Sequence, residues 1–192
     1  MKDHTNTLLY RSIINLGKIP TIDMVRLFEI ADHRQIAKGE FILKDGQICS
    51  CITFVEKGHL RTSIHRDGSE INTNFTLEGN FTTNLRSLRH ASQSEYSIQA
   101  GEQTTIFQFD KDRLIALYES SSEIESFARK ILEQLMMDLE EHTNLFKVFS
   151  PRERYKYLQD NNPVLLQRIS LSQLSSYLGM ARETLGRIRQ LK

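Results

Sequence analysis

The stretch "LSQLSSYLGMARETLGRIRQ", residues 171–190, carries two short apolar-periodic runs broken by Gly179. Leu174 and Leu178 fall on one face of the first run, Leu185 and Ile188 on one face of the second. Ser170-Leu171-Ser172-Gln173 is a capping box that starts the first run. The interval after Gly179 leaves room only for a tight turn, so the spacing predicts helix, turn, helix. Small Ser175 falls where the two helices would approach closely. Arg182, Glu183, Thr184 and Arg187 then lie near the start of the second helix. In a helix-turn-helix that segment enters the major groove. Arginine can donate two bonds to guanine there, and glutamate can accept one from cytosine.

Working upstream, Ser150-Pro151-Arg152-Glu153 is a second capping box, with proline at the first helical position. Pro151 discourages a helix continuing across this point, so a hinge is expected near Phe149-Ser150, with a helix over 151–160 beyond it. Before the hinge, Ser122-Glu123-Ile124-Glu125 also reads as a capping box. It opens a run to about Phe149 with apolar positions at Ile124, Phe127, Ala128, Ile131, Leu135 and Leu139, widened by Leu132 and Met136. A helix of ~26 residues is ~39 Å long. That length exceeds what one small sheet covers and favours pairing with a second copy over a purely internal role.

Charge divides along the same boundaries. Residues 150–192 hold eight basic and three acidic side chains, net +5, and residues 123–149 hold three and six, net −3, within a chain of net +1. A basic C-terminal piece fits contact with a polyanion.

The region before residue 110 has a different period. Glycines at 39, 46, 58, 68 and 79 recur about every ten residues, three of them in Lys44-Asp45-Gly46, Glu56-Lys57-Gly58 and Arg66-Asp67-Gly68. Such turns separate strand-like runs at 51–56, 60–65, 71–77, 96–100 and 104–109. Regular short strands predict a β-sandwich or roll, with residues 7–32 helical outside it and Asp110 capping a short helix to about Ser120. No apolar run reaches the ~20 residues of a membrane span, and the N-terminus lacks a signal-peptide layout. Cys49 and Cys51 are too few for a disulfide framework. A cytoplasmic protein is expected.

Taken in order, these segments resemble the Crp/Fnr family of bacterial transcription regulators over nearly the whole chain. The sharpest match is "RETLGRI" (182–188), similar to the family's recognition helix, and residues 150–189 resemble members typical of Bacteroidetes-type bacteria. The resemblance implies an α+β architecture. A cyclic-nucleotide-binding-like β-roll (jelly roll) sensor domain spans 1–121, a dimerisation helix 122–149 and a helix-turn-helix DNA-binding domain 150–192. It implies a homodimer on an inverted-repeat duplex, with RNA polymerase as a further partner. Arg182, Glu183 and Arg187 would read bases. Phosphate contacts would come from Arg152, Arg154, Ser170, Ser172 and Arg189. Two departures stand out. Ala181 replaces the usual Ser or Thr cap of the reading helix, and with the sequence ending at Lys192 no wing is expected after it.

Members that bind cyclic nucleotides carry Gly-Glu, a short helical turn, then Arg-Ser or Arg-Ala before the next strand. Here Gly79 precedes Asn80, and Ser94-Glu95 precedes the strand "YSIQA". The resemblance thus places the effector pocket around Gly79, Asn80, Phe81, Arg86, Arg89 and Glu95, with Met136 and Met137 on the long helix. Glu95 would repel a phosphate at short range. Cyclic AMP is therefore not the expected effector, and no cofactor is expected. Two cysteines fall short of the four thiolates of a [4Fe–4S] cluster. His59 and His65 with Cys51 give a cupin-like metal set that no spacing demands. No nucleophile–base set suggests an enzyme. The runner-up to a DNA-binding regulator is a ligand- or partner-binding β-roll without DNA binding.

Overall fold

The computed structural model describes residues 4–17 and 19–190. The chain opens with α1 (Leu8–Leu16) and α2 (Thr21–Ile30), followed by β1 (Ala31–Ile36) and β2 (Phe41–Leu43). Next come β3 (Cys51–Lys57), β4 (Leu60–Arg66), β5 (Ser69–Thr76) and β6 (Phe81–Thr82). The short helix α3 (Leu85–His90) precedes β7 (Ser97–Ala100) and β8 (Thr104–Asp110). Then α4 (Lys111–Ser120) leads into the long α5 (Ser122–Val148). The C-terminal helices are α6 (Pro151–Asn161), α7 (Pro163–Arg168), α8 (Leu171–Tyr177) and α9 (Arg182–Gln190).

Among the described residues the strands form two four-stranded antiparallel sheets, ordered β1-β8-β3-β6 and β2-β7-β4-β5. Ile36, Leu43, Val55, Leu60, Ile98 and Ile106 fill the space between them. On β8, Ile106 faces this interior while Phe107 and Phe109 belong to a second core, with Leu9, Ile13, Met24, Leu27, Leu114 and Phe127 of the helices. Both faces of that sheet are thus covered, which is why β8 is apolar at successive positions and not only at alternate ones. Glu56 ties α1 to β3: its carboxylate accepts from the Leu8 and Leu9 N–H groups at 2.6 and 3.0 Å. A negative charge there also complements the helix dipole.

The helical reading of 7–32 needs correction. Pro20 starts α2 afresh, and Ala31–Ile36 leaves the helix to pair with Phe109–Thr104 of β8. The Asp67-Gly68 turn has positive φ at both positions, 51° and 75°, as a two-residue type I′ hairpin requires. Gly58 is needed for space as well: a Cβ there would lie 2.7 Å from Thr104 Oγ1 and 2.8 Å from the Gln103 carbonyl.

Helix α5 is capped one residue earlier than expected. Ser121, not Ser122, accepts from the Ile124 N–H at 3.2 Å, and its hydroxyl also donates to buried Asp23 at 2.7 Å. The Ser150–Glu153 box forms as read. Ser170 accepts from the Gln173 N–H at 3.3 Å. Helix α7, begun by Pro163, was not anticipated.

Over its 27 residues α5 buries only Ile124, Phe127 and Leu145, leaving Leu132, Met136, Met137 and Leu139 exposed. Tyr155, Leu158, Leu165, Ile169, Leu174, Leu178 and Leu185 form a third core, which Phe75 of β5 joins from the β-roll. No helix of the described residues is long and apolar enough to cross a membrane.

Candidate nucleic-acid interface and effector cavity

Helices α8 and α9 meet over Leu174, Leu178 and Leu185, all buried, with Ser175 buried between them and Ile188 half-buried. Gly179, at φ 62°, makes the turn. The Ala181 carbonyl accepts from the Leu185 N–H at 3.1 Å, so Ala181 opens α9. Arg182, Glu183, Arg187 and Arg189 are exposed on α9, and Thr184 is half-buried. Among the described residues no ion pair engages any of these charges. Arg152, Ser170 and Ser172 are also exposed, Ser170 being occupied as the cap of α8.

Arg154 behaves otherwise, and its reading as a phosphate contact is corrected. Its guanidinium donates to the carbonyls of Phe146, Phe149 and Leu178 at 3.2, 3.0 and 3.0 Å. It also lies 4.8 Å from the centre of the Phe146 ring. Three backbone acceptors and a ring face hold it at the hinge. Beside it, the rings of His142, Phe146 and Tyr177 cluster, His142 lying 4.8 Å from Phe146 and 5.6 Å from Tyr177. Arg168 is likewise engaged, by Glu78 and Glu102 of the β-roll.

In the β-roll, the short helical turn before β7 is α3, so the pair preceding it is Thr83-Asn84, four residues beyond Gly79-Asn80. Gly79 and Asn80 belong to the β5–β6 turn. There the Gly79 N–H donates to the Val55 carbonyl at 2.9 Å, and the Asn80 amide donates to the carbonyls of Leu77 and Glu78. Asn84 is buried. Its Oδ1 accepts from the Ser87 N–H at 3.1 Å, capping α3, and its Nδ2 donates to Ser94 Oγ at 2.8 Å. Ser94 Oγ donates to the Tyr96 carbonyl at 2.6 Å, and the Tyr96 hydroxyl to the Thr83 carbonyl at 3.1 Å. Burial pushes the Tyr96 phenol up to about 12. This neutral chain of hydrogen bonds closes the loop where the family motif would put a carboxylate and an arginine.

Two cavities adjoin the loop. One, of 520 Å³, opens between the sheets against Cys49, Thr53, Thr82, Thr83, Gln93 and Gln108, and no charged side chain lines it. The other, of 310 Å³, is apolar and lies between α3, α4 and α5, against Phe81, Leu88, Phe109, Leu114, Ile131 and Leu135, with Arg89 and Lys111 also in its lining. Of the residues assigned to the effector pocket, Phe81 and Arg89 line this apolar cavity. Gly79, Asn80 and Phe81 line a smaller one beside α5. Arg86, Glu95, Met136 and Met137 are exposed and line none of the three.

The residues of the cupin-like set are not gathered. His59 is buried before β4, its Nδ1 3.6 Å from Glu102, while His65 sits near the far end of that strand, paired with Glu70. Cys49 is buried, and burial pushes the half-buried Cys51 thiol up. Asn84, Ser94 and Tyr96 were missed from sequence. The signal that finds them is the position of α3, not the glycine.

The family pattern of the cyclic nucleotide-binding domain matches residues 33–121. No curated protein matches the chain. Among solved structures it is similar to the c-di-GMP responsive global regulator CLP of Xanthomonas campestris, with 17% identity over 89% of this chain and 90% of that one and a TM-score of 0.71. FixK2 from Bradyrhizobium japonicum matches at 20% identity over 84% and 83%, TM-score 0.69. A protein from Eubacterium rectale assigned to the Crp/Fnr family of regulators matches at 16% over 92% and 86%, TM-score 0.67. Residues 33–121 therefore match the cyclic nucleotide-binding domain, and the chain shares its fold with solved Crp/Fnr transcription regulators.

Proposed function

We propose that the chain is a dimeric, sequence-specific DNA-binding transcription regulator of the Crp/Fnr type whose sensor domain lacks a standard cyclic-AMP site. The observation that carries the reading is the exposed face of α9, where Arg182, Glu183 and Arg187 lie outside any ion pair among the described residues. They stand on a helix anchored by buried Leu185. Charged groups on a rigid element can meet base edges at little further ordering cost. Helices α8 and α9 act as the helix-turn-helix, and Arg152, Ser172 and Arg189 supply exposed groups for phosphate. The uncovered apolar stripe of α5 supports pairing of two chains through that helix. An inverted repeat is then the matching operator.

For the sensor, Asn84 bonded to Ser94 and an inter-sheet cavity without charge offer no cation to a cyclic phosphate. The role is regulatory and not catalytic, and a chromosome-binding role in the cytoplasm fits two unpaired thiols. The test is a salt titration of duplex binding combined with selection from a random pool. The expected result is enrichment of an inverted repeat and an affinity that falls steeply with salt. Duplex binding that is absent, or has no sequence preference, would leave a ligand- or partner-binding β-roll as the better reading.

A further inference from the structure

Helix α7 ends in Arg168, whose guanidinium reaches back across the domain boundary. Nη1 donates to Glu78 Oε2 at 2.8 Å and Nη2 to Glu78 Oε1 at 3.0 Å, a two-pronged pair. Nη2 also bonds Glu102 Oε1. Glu78 follows β5 and Glu102 lies between β7 and β8, so one side chain of the helical unit ties two turns of the sensor domain. Glu78 Oε1 also accepts from the Gly58 N–H at 2.8 Å, which fixes its carboxylate independently of Arg168. Burial pushes both carboxyls up, but their bonds to Arg168 outweigh it and leave each below the usual carboxylate range.

Two carboxylate oxygens bonded to a single nitrogen stand close together. Without a cation between them they repel, so the sensor domain presents an acidic pair that needs a positive partner. The other cations of the C-terminal segment cited above are exposed or held at the hinge. Arg168 alone among them is committed to the sensor. Around it, Phe75 and Leu77 pack into the core of the helical unit, the Phe75 and Tyr177 ring centres lying 5.3 Å apart. Beyond that, the Asn72 N–H donates to Ser176 Oγ at 2.9 Å.

We propose that Arg168, gripped by Glu78 and Glu102, is an electrostatic latch that holds the C-terminal helical unit on the sensor sheet and lets it go when the ion cluster is weakened. In a dimer joined through α5, the separation of the two α9 helices would be set only while both latches hold. That consequence rests on the DNA-reading proposal. The latch does not, because its test is made on the protein without DNA.

The readout is hydrogen exchange at the Asn72 amide, whose bond to Ser176 crosses the boundary. Arg168→Met keeps the chain length but loses the charge and the fork. Glu78→Gln with Glu102→Gln removes the acceptor charges from the other side, leaves the helical core untouched and keeps an oxygen for the Gly58 N–H. Each should speed Asn72 exchange about tenfold or more, since bonds to charged groups are the stronger ones. The amides of Phe54 and Phe107 in the sensor should not change. Arg168→Lys should fall between, having the charge but not the fork. In the wild type, raising NaCl from about 0.05 to about 0.5 M should speed the same amide, with little effect in the variants. If Arg168→Met also exposes the Leu178 amide, the helical unit has lost its fold, and the double glutamine variant decides. Unchanged Asn72 exchange in that double variant overturns the latch.

Discussion

Replacing Leu132 and Met136 with glutamate should separate the proposed dimer into folded monomers. Met136 is 72% exposed and Leu132 41% in the single chain. Full burial of such a side chain is worth about 1.5–3 kcal/mol. Covering the open parts of these two therefore contributes about 2–3 kcal/mol per chain, or about 5 kcal/mol over a symmetric pair. Glutamates facing one another across the two-fold axis add repulsion. At 1.4 kcal/mol per tenfold, about 5 kcal/mol weakens the dissociation constant by a thousandfold or more. Sedimentation equilibrium at about 10 µM protein should then show a dimer for the wild type and a monomer for the variant, with circular dichroism unchanged. Ile131 and Leu135 belong to the same sequence stripe but are poorer choices, because Ile131 packs on the sensor core and Leu135 lines the apolar cavity. A wild type that is monomeric at this concentration, or a variant as dimeric as the wild type, refutes the reasoning.

Arg187→Ala should cost about 1–3 kcal/mol per half-site and relax preference at one base position, whereas Arg152→Ala should weaken all sequences alike and flatten the salt dependence; paired binding selections on the two variants check this. Calorimetry with cyclic AMP should show no tight binding, and a dissociation constant in the low micromolar range would mean that Arg86 or Arg89 reaches the phosphate. Burial lowers the pKa of His142, so the unfolded chain takes up the proton first: stability is complete above about pH 6.5 and declines as pH falls. Buried His59 shifts the same way, so His142→Phe should remove part of the loss measured by urea unfolding at pH 7 and pH 5.5, and identical losses in variant and wild type would contradict it.

The strands β3, β4, β5, β7 and β8 were legible because alternation and Gly-containing turns are local signals, written within the strands and their connections. Strand β1 was not, since Asp32, His33, Arg34 and Gln35 are polar and exposed, and only pairing with β8 makes them extended. The starts of α6 and α8 and the break before Pro151 were visible because caps and proline act within four residues. The effector loop was displaced because its motif was anchored on a glycine, while the structure anchors it on the cap of α3. Arg154 was read as a phosphate contact, and Arg168 only as one of the basic residues of the C-terminal piece. Their partners lie up to 24 and 90 residues away, and no local pattern announces such distances.

Strand β5 is the outer strand of its sheet, and α8 lies along it, with Ser176 taking the Asn72 N–H and Tyr177 covering Phe75. The C-terminal helices thus cover that edge. A β-roll cut off at the hinge would bare both an unpaired β edge and an aromatic ring, the combination that invites edge-to-edge joining of strands into aggregates. The outer edge of the β-roll is then shielded by its neighbour, and the boundary between the two units is a poor place to divide the chain for expression.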